Sequence, residues 1–252
     1  AQLQSGKDRA LKLLTELESQ HGDKVAFRLR RAVILAKDAT QQSITQLRTL
    51  EDNDNEFSTA EQSQLLRGLG MVYLRVGEFD QAERVWRQVA ESNPDELSIR
   101  LQLFELAVAQ RDAELMTFAG NEIRKVTGAE SAYSYFTQAH QLLAAAGENL
   151  VPDDIAAARR LLEKAEATRP NWHALNLLNA DLDLREGNVN AAIDQLQAAL
   201  ENGPSSPSTV RRLVELLRSQ RRFDEAGRRN QWQLLATGWE TGDARAVRIF
   251  AD

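Results

Sequence analysis

The sequence predicts an all-α chain built as an array of helix pairs, and three observations predict it. Leu, Ala, Gln, Glu and Arg dominate, while Pro is limited to 5 and Gly to 13 of 252 residues and β-branched runs are nearly absent, a composition of helix formers. Apolar residues recur every three to four positions, one stripe per helix. The stripes themselves recur: Ala158, Ala192 and Ala226 are each 34 residues apart, as are Leu162 and Leu196, Ala165 and Ala199, and Pro170 and Pro204.

From the start of the chain, residues 7–19 place Ala10, Leu13, Leu14 and Leu17 at helical spacing. Residues 24–37 place Phe27, Leu29, Val33, Ile34 and Ala36 there, and residues 40–50 place Ile44 and Leu47. Ala10 to Ile44 is again 34 residues, so the first helix reads as the second half of a repeat whose first half lies upstream, or as a polar capping helix. Residues 1–62 are accordingly expected to be degenerate or capping units. Ile44 to Ala82 is 38, and the surplus falls in an acidic loop, EDNDNEFST, at 51–59. Asp52, Asp54 and Glu56 alternate as oxygen ligands of calcium do, but the glycine turn and distal bidentate Glu of an EF-hand loop are missing, so a solvated loop is expected.

Residues 63–96, SQLLRGLGMVYLRVGEFDQAERVWRQVAESNPDE, form the best-defined unit. Leu66, Leu69, Gly70, Tyr73, Gly77, Ala82, Trp86, Val89 and Pro94 stand at offsets 4, 7, 8, 11, 15, 20, 24, 27 and 32. Gly70 and Ala82 are small enough for the paired helices to approach closely. Gly77 suits a left-handed helix C-cap, and Pro94 stops the second helix or starts the next. Residues 97–130 follow as a degenerate repeat, with Leu101, Leu103, Leu106, Leu115, Phe118 and Ile123 expected to face inward. Pro94 to Pro170 is 76, two periods plus eight. Gly147 precedes Ala158 by eleven residues, where Gly77 precedes Ala82 by five, so six of the eight lie in the turn GENLVPDD of a repeat at 131–172, projecting Asn149, Leu150 and Val151. A well-matched repeat at 173–206 has Gly187 in its turn. The repeat at 207–233 restates the motif at Asp224, Glu225 and Ala226, with Asn230 in place of a bulky residue. Residues 234–252, with Trp239 and DARAVRIF, read as a cap or truncated unit.

The signature of residues 63–96 resembles the tetratricopeptide repeat, a 34-residue helix-turn-helix unit, with Leu66 in place of the first aromatic and Val89 in place of the second small residue. The resemblance implies a right-handed superhelical solenoid of antiparallel helix pairs, about six to seven units in one array over 1–252.

Composition narrows the chemistry. Net charge is −6 and the pI near 5.3, so nucleic acid is not an expected partner. Cysteine is absent, which excludes disulfides and thiolate sites. No apolar run is long enough to span a bilayer, so membrane insertion is not expected. The chain begins at Ala1 without a methionine or apolar leader, which suits a processed or excised soluble segment, cytoplasmic or periplasmic, and leaves room for a removed signal or anchor. His21, His140 and His173 lie in no zinc-ligand spacing, and neither a phosphate-binding glycine loop nor a GxSxG elbow is present. The pairs Asp153 and Asp154, and Asp181 and Asp183, suit helix starts and polar faces. No catalytic residue, metal ligand or cofactor is assigned, and the chain is expected not to be an enzyme.

Binding is the better expectation. In tetratricopeptide arrays the first helices line a concave groove through offsets 2, 5, 9, 12 and 13. Carried onto this sequence, these are Gln64, Arg67, Met71, Leu74 and Arg75; then Ala174, Leu177, Asp181, Leu184 and Arg185; then Ser208, Arg211, Glu215, Arg218 and Ser219. Apolar patches with several arginines suit a peptide carrying carboxylates. The subfamily that clamps chaperone C-termini uses Lys and Asn; Arg67 could replace the lysine, but Met71 occupies an Asn position and no second-unit Asn matches, so tail binding is not expected. The expected function is a protein-protein interaction scaffold or adaptor, a segment of a larger bacterial-type protein. The alternatives are an accessory domain of a larger enzyme, or an RNA-binding helical repeat suggested by Arg211, Arg212, Arg218, Arg221, Arg222, Arg228 and Arg229 but lacking a repeated base-reading code.

Overall fold

The computed structural model describes residues 2–38, 40–52, 57–147, 151–204 and 206–220, with backbone only for 2–5. Among them are twelve α-helices and no strand. The chain divides into two compact units, Ala1–Gly128 and Ala129–Asp252.

The first unit contains α1 (Gln2–His21), α2 (Val25–Leu35), α3 (Gln41–Thr49), α4 (Thr59–Val76), α5 (Phe79–Ser92), α6 (Leu97–Gln110) and α7 (Ala113–Thr127). Helix α4 pairs with α5 and α6 with α7, each across a two-residue turn that forces the partners antiparallel; α2 packs on α3 and α4, and α5 on α6. Helix α4 starts at a capping box, in which the Ser58 hydroxyl accepts from the Glu61 amide at 3.3 Å and the Glu61 carboxylate accepts from the Ser58 amide at 2.9 Å. It ends at Gly77, whose φ of 83° is the left-handed cap expected there. Gly70 allows the pair to close: a Cβ at that position would lie 2.1 Å from Trp86 Nε1. Trp86 is fully buried and donates from Nε1 to the Arg67 carbonyl at 3.3 Å.

The apolar stripe of α1 is largely open, and one expectation for this unit, at Phe118, is corrected. Leu13 and Leu17 on α1 are 52% and 39% exposed, and only Leu14 of that stripe is buried. In register they match Val85 and Val89 of α5, which are buried in the α4–α5 pair, whereas α1 packs on α2 without a first helix of its own among the described residues. Phe118 does not face inward. It is 37% exposed, and the Arg87 guanidinium lies 3.8 Å from its ring centroid, a cation–π contact between α5 and α7.

The second unit contains α8 (Ala132–Ala146), α9 (Pro152–Thr168), α10 (His173–Arg185), α11 (Val189–Asn202) and α12 (Pro207–Ser219). Helices α8 and α9 form one pair, α10 and α11 another, and α12 packs on α11. Ala139, Leu143, Ala158, Leu162, Ala165, Leu175 and Leu178 share one core; Ala180, Ala192, Ile193, Leu196, Leu213 and Leu217 share the next. The 34-residue repeats are thus the buried small and bulky positions of successive second helices. Asp154 starts α9 as expected, its carboxylate accepting from the Val151 amide at 3.1 Å. Of the inserted turn, Val151 is exposed, while Asn149 and Leu150 lie outside the described residues, as do Asp224, Glu225, Ala226, Asn230, Trp239 and the rest of 221–252.

Candidate functional site

In the first unit the first-helix face is built on α2, α4 and α6. Leu29 of α2 lies against α4 at Gly68, where a Cβ would come within 2.5 Å of a Leu29 methyl, and Gln102 of α6 places its amide nitrogen 4.0 Å from Met71 Sδ. Three helices therefore lie side by side, with Met71 between its neighbours. Of the residues placed on this face by register, Met71 is 49% exposed, Gln64 and Arg75 are exposed, and Leu74 is half-buried. Arg67 differs from the expectation of a guanidinium open to a partner: it pairs with Glu96 at 2.5 Å, and Ser98 donates to the same carboxylate at 2.6 Å. Further along α6, Glu105 is exposed, and partial desolvation raises its carboxyl above its usual range.

The support beneath this face uses residues that periodicity did not single out. Arg100, 3% exposed, donates to the carbonyls of Ala90 at 3.1 Å, Asn93 at 3.0 Å and Glu96 at 2.8 Å, closing the C-terminal end of α5 against α6. Its signal was a single charge at a position where the helix pattern calls for core. Glu51, in the loop considered for calcium, instead accepts from the buried Tyr73 hydroxyl at 2.5 Å and pairs with Arg84 at 2.6 Å. Burial and this carboxylate push the Tyr73 phenol far above its ordinary value. Among the described residues no group of His, Asp or Glu is arranged to hold a metal ion.

In the second unit, Leu177 and Leu184 are half-buried against the α10–α11 core, Ala174 is half-buried, and Arg185, Ser208, Arg211, Glu215, Arg218 and Ser219 are exposed. Asp181 is not open either: its carboxylate pairs with Arg212 of α12. Asp183, read as part of a polar face, is buried and pairs with Arg159 of α9 at 2.6 Å, and Arg159 also reaches Glu186 at 2.5 Å. His140 packs edge-on to Phe136, ring centroids 4.7 Å apart, and burial lowers its pKa to about 4, so it is neutral at physiological pH. Arg169 lies over both Tyr133 and Trp172, at 5.0 and 4.7 Å from their centroids. Arg221, Arg222, Arg228 and Arg229 fall outside the described residues. No helix among the described residues is long and apolar enough to cross a membrane.

The tetratricopeptide repeat family model matches residues 67–115 and 177–228. A tetratricopeptide-repeat protein from Parabacteroides merdae superimposes with a TM-score of 0.59 at 12% identity, over 97% of this chain and 90% of that one. A thermophilic tetratricopeptide-repeat protein from Thermus thermophilus gives 0.54 at 18% identity, over 74% and 95%. A chain of the APC/C hetero-tetramer Cut9-Hcn1 gives 0.51 at 15% identity over 94% of this chain, which spans only 44% of that longer one. At these identities the structures speak for the fold. No curated protein matches the sequence. Proteins of this repeat family are generally interaction scaffolds rather than enzymes, and they typically bind protein partners. With the helix pairs, the left-handed Gly77 cap and the Gly70–Trp86 closure in place, the chain carries tetratricopeptide-repeat units at 67–115 and 177–228.

Proposed function

We propose that this chain is a protein-protein interaction scaffold or adaptor that holds a peptide or protein segment on the inner, first-helix faces of its repeats, read as one array with units at 63–96, 97–130, 131–172, 173–206 and 207–233. The observation that carries the reading is Met71: a large apolar side chain, 49% exposed, in the middle of three adjacent first helices whose other large apolar residues are mostly covered. A soluble stack has no folding reason to leave it open, and methionine adapts its shape to a partner. The RNA-binding reading has less support, since no base-reading code repeats from unit to unit and Arg212 is paired with Asp181.

The test is affinity capture with the purified chain as bait, compared with Met71→Glu and Arg75→Glu variants. At least one protein partner should be retained by the parent chain and weakened by the variants. Capture that is the same for all three chains would remove the groove assignment for that partner.

A further inference from the structure

The first unit's inner face is chemically lopsided, and the lopsidedness names a partner. Taking Ile44 as the counterpart of Ala82 places Val33 of α2 at the repeat position that Met71 occupies on α4. Both are exposed, at 40% and 49%, and their helices pack directly on each other. Together they make an apolar shelf. Four residues on from each in sequence stand Arg75, in the last turn of α4, and Lys37, in the turn just past the end of α2, both exposed and in no ion pair among the described residues. Three of the nearby acids are engaged elsewhere: Asp38 with Lys7 at 2.5 Å, Glu96 with Arg67 at 2.5 Å, Glu78 with Arg48 at 3.4 Å. Cations thus flank the shelf on the side of the helix C-termini, while Glu105, exposed 34 residues on from Met71 at the equivalent position of α6, confines the acid-accepting part of the face to α2 and α4. Gln102 adds an unmet acceptor. It donates to the Met71 sulfur, a weak acceptor, and its own Oε1 is buried without a partner, so the amide would gain by turning to a peptide group.

Resting on the scaffold reading above, we infer that the first unit's face takes an acidic amphipathic peptide segment, seating a bulky apolar side chain on Val33 and Met71 and directing carboxylates to Lys37 and Arg75. Charge complementarity selects this occupant: a basic segment would meet two unpaired cations, and a purely apolar one would leave them facing low-dielectric surface. The face of α10 and α12 offers no such shelf, because Leu177 and Leu184 serve the core and Asp181 is paired with Arg212.

The test is selection of short random peptides displayed against the purified full chain, followed by fluorescence-anisotropy titration of the enriched sequences. Enriched peptides should be net acidic with a recurring bulky apolar residue. Met71→Glu should weaken them about thirtyfold, and Arg75→Glu or Lys37→Glu about tenfold each. Arg124→Glu on the outer helix α7 serves as the surface control, and circular dichroism establishes that each variant, all at exposed positions, is folded. Basic or charge-indifferent binders overturn the inference. Binders that resist Met71→Glu but are lost in Arg211→Glu or Arg218→Glu overturn it while leaving the scaffold reading standing. Self-association of the chain that Met71→Glu abolishes would assign the face to a second copy and also overturn it. No enriched peptide at all would sink both readings of this face.

Discussion

Helix pairs α4–α5 and α10–α11 stand in the same register and solve the same packing problem with opposite choices. At the eighth and twenty-fourth positions the first pair has Gly70 and Trp86, the second Ala180 and Leu196, all buried. A smaller residue on one helix is matched by a larger one on its partner, as close packing requires. At the ninth position, on the inner face, the same register holds Met71 in one and Asp181 in the other, the first exposed and the second paired with Arg212. The core positions are thus coupled across the pair, while the face positions are free to differ.

The comparison can be broken at several points. The largest expected effect is Trp86→Ala, which should cost about 3–5 kcal/mol of first-unit stability by leaving a cavity, with Leu196→Ala at the low end of about 2–5 kcal/mol in the second. Because stacked repeats need not unfold in one step, hydrogen exchange resolved by peptide is the measurement that assigns each loss to its unit.

Acid should separate the units next. His140 has a folded pKa of about 4 against an ordinary value of 6.5, so below the ordinary value the unfolded chain binds the proton more readily. Its contribution is intact above pH 6.5 and is lost as pH falls toward 4, a decline of up to about 3 kcal/mol confined to the second unit. Thermal melts between pH 7 and 4.5 should show this slope flattened in His140→Phe, and an equal slope in that variant would remove His140 as the cause.

Gly70→Ala should cost about 1–3 kcal/mol by driving a methyl into the Trp86 indole. Adding Trp86→Leu recreates the second pair's combination and should give a coupling energy of about 1 kcal/mol or more in a double-mutant cycle; additive losses would mean that the two positions do not share one volume. The smallest effect is expected from Arg212→Ala, about 0.2–1 kcal/mol, since its pair with Asp181 is partly open to solvent. Its more telling readout is the salt dependence of the melt, which should weaken.

Much of the fold was legible because helical periodicity assigns each residue to a face, and a strict repeat then transfers that assignment along the chain. Gly77, Gly70, Ala82, Trp86 and the alanines of α9 and α11 were readable in this way. The face residues were readable only as positions. That Arg67 is taken by Glu96, and Asp181 by Arg212, depends on how neighbouring first helices slide past each other, and the pairs are separated by 29 and 31 residues with no pattern linking them. Arg100 broke the apolar pattern of α6 and could have been suspected for that reason. Its three carbonyl partners, two at the end of α5 and one at the start of α6, could not.

The sequence by itself determined that this chain is all-α, where its best repeats lie, and which residues fill their cores, because burial of one stripe per helix is a local and repeated requirement. The tertiary structure decided which charges remain open. It ties Glu51 to Tyr73 and Arg84, sets Phe118 beneath Arg87, and leaves Val33, Met71, Lys37 and Arg75 uncovered. An ion pair forms or not according to ångström-scale distances between side chains on different helices, and those distances exist only once the helices have packed.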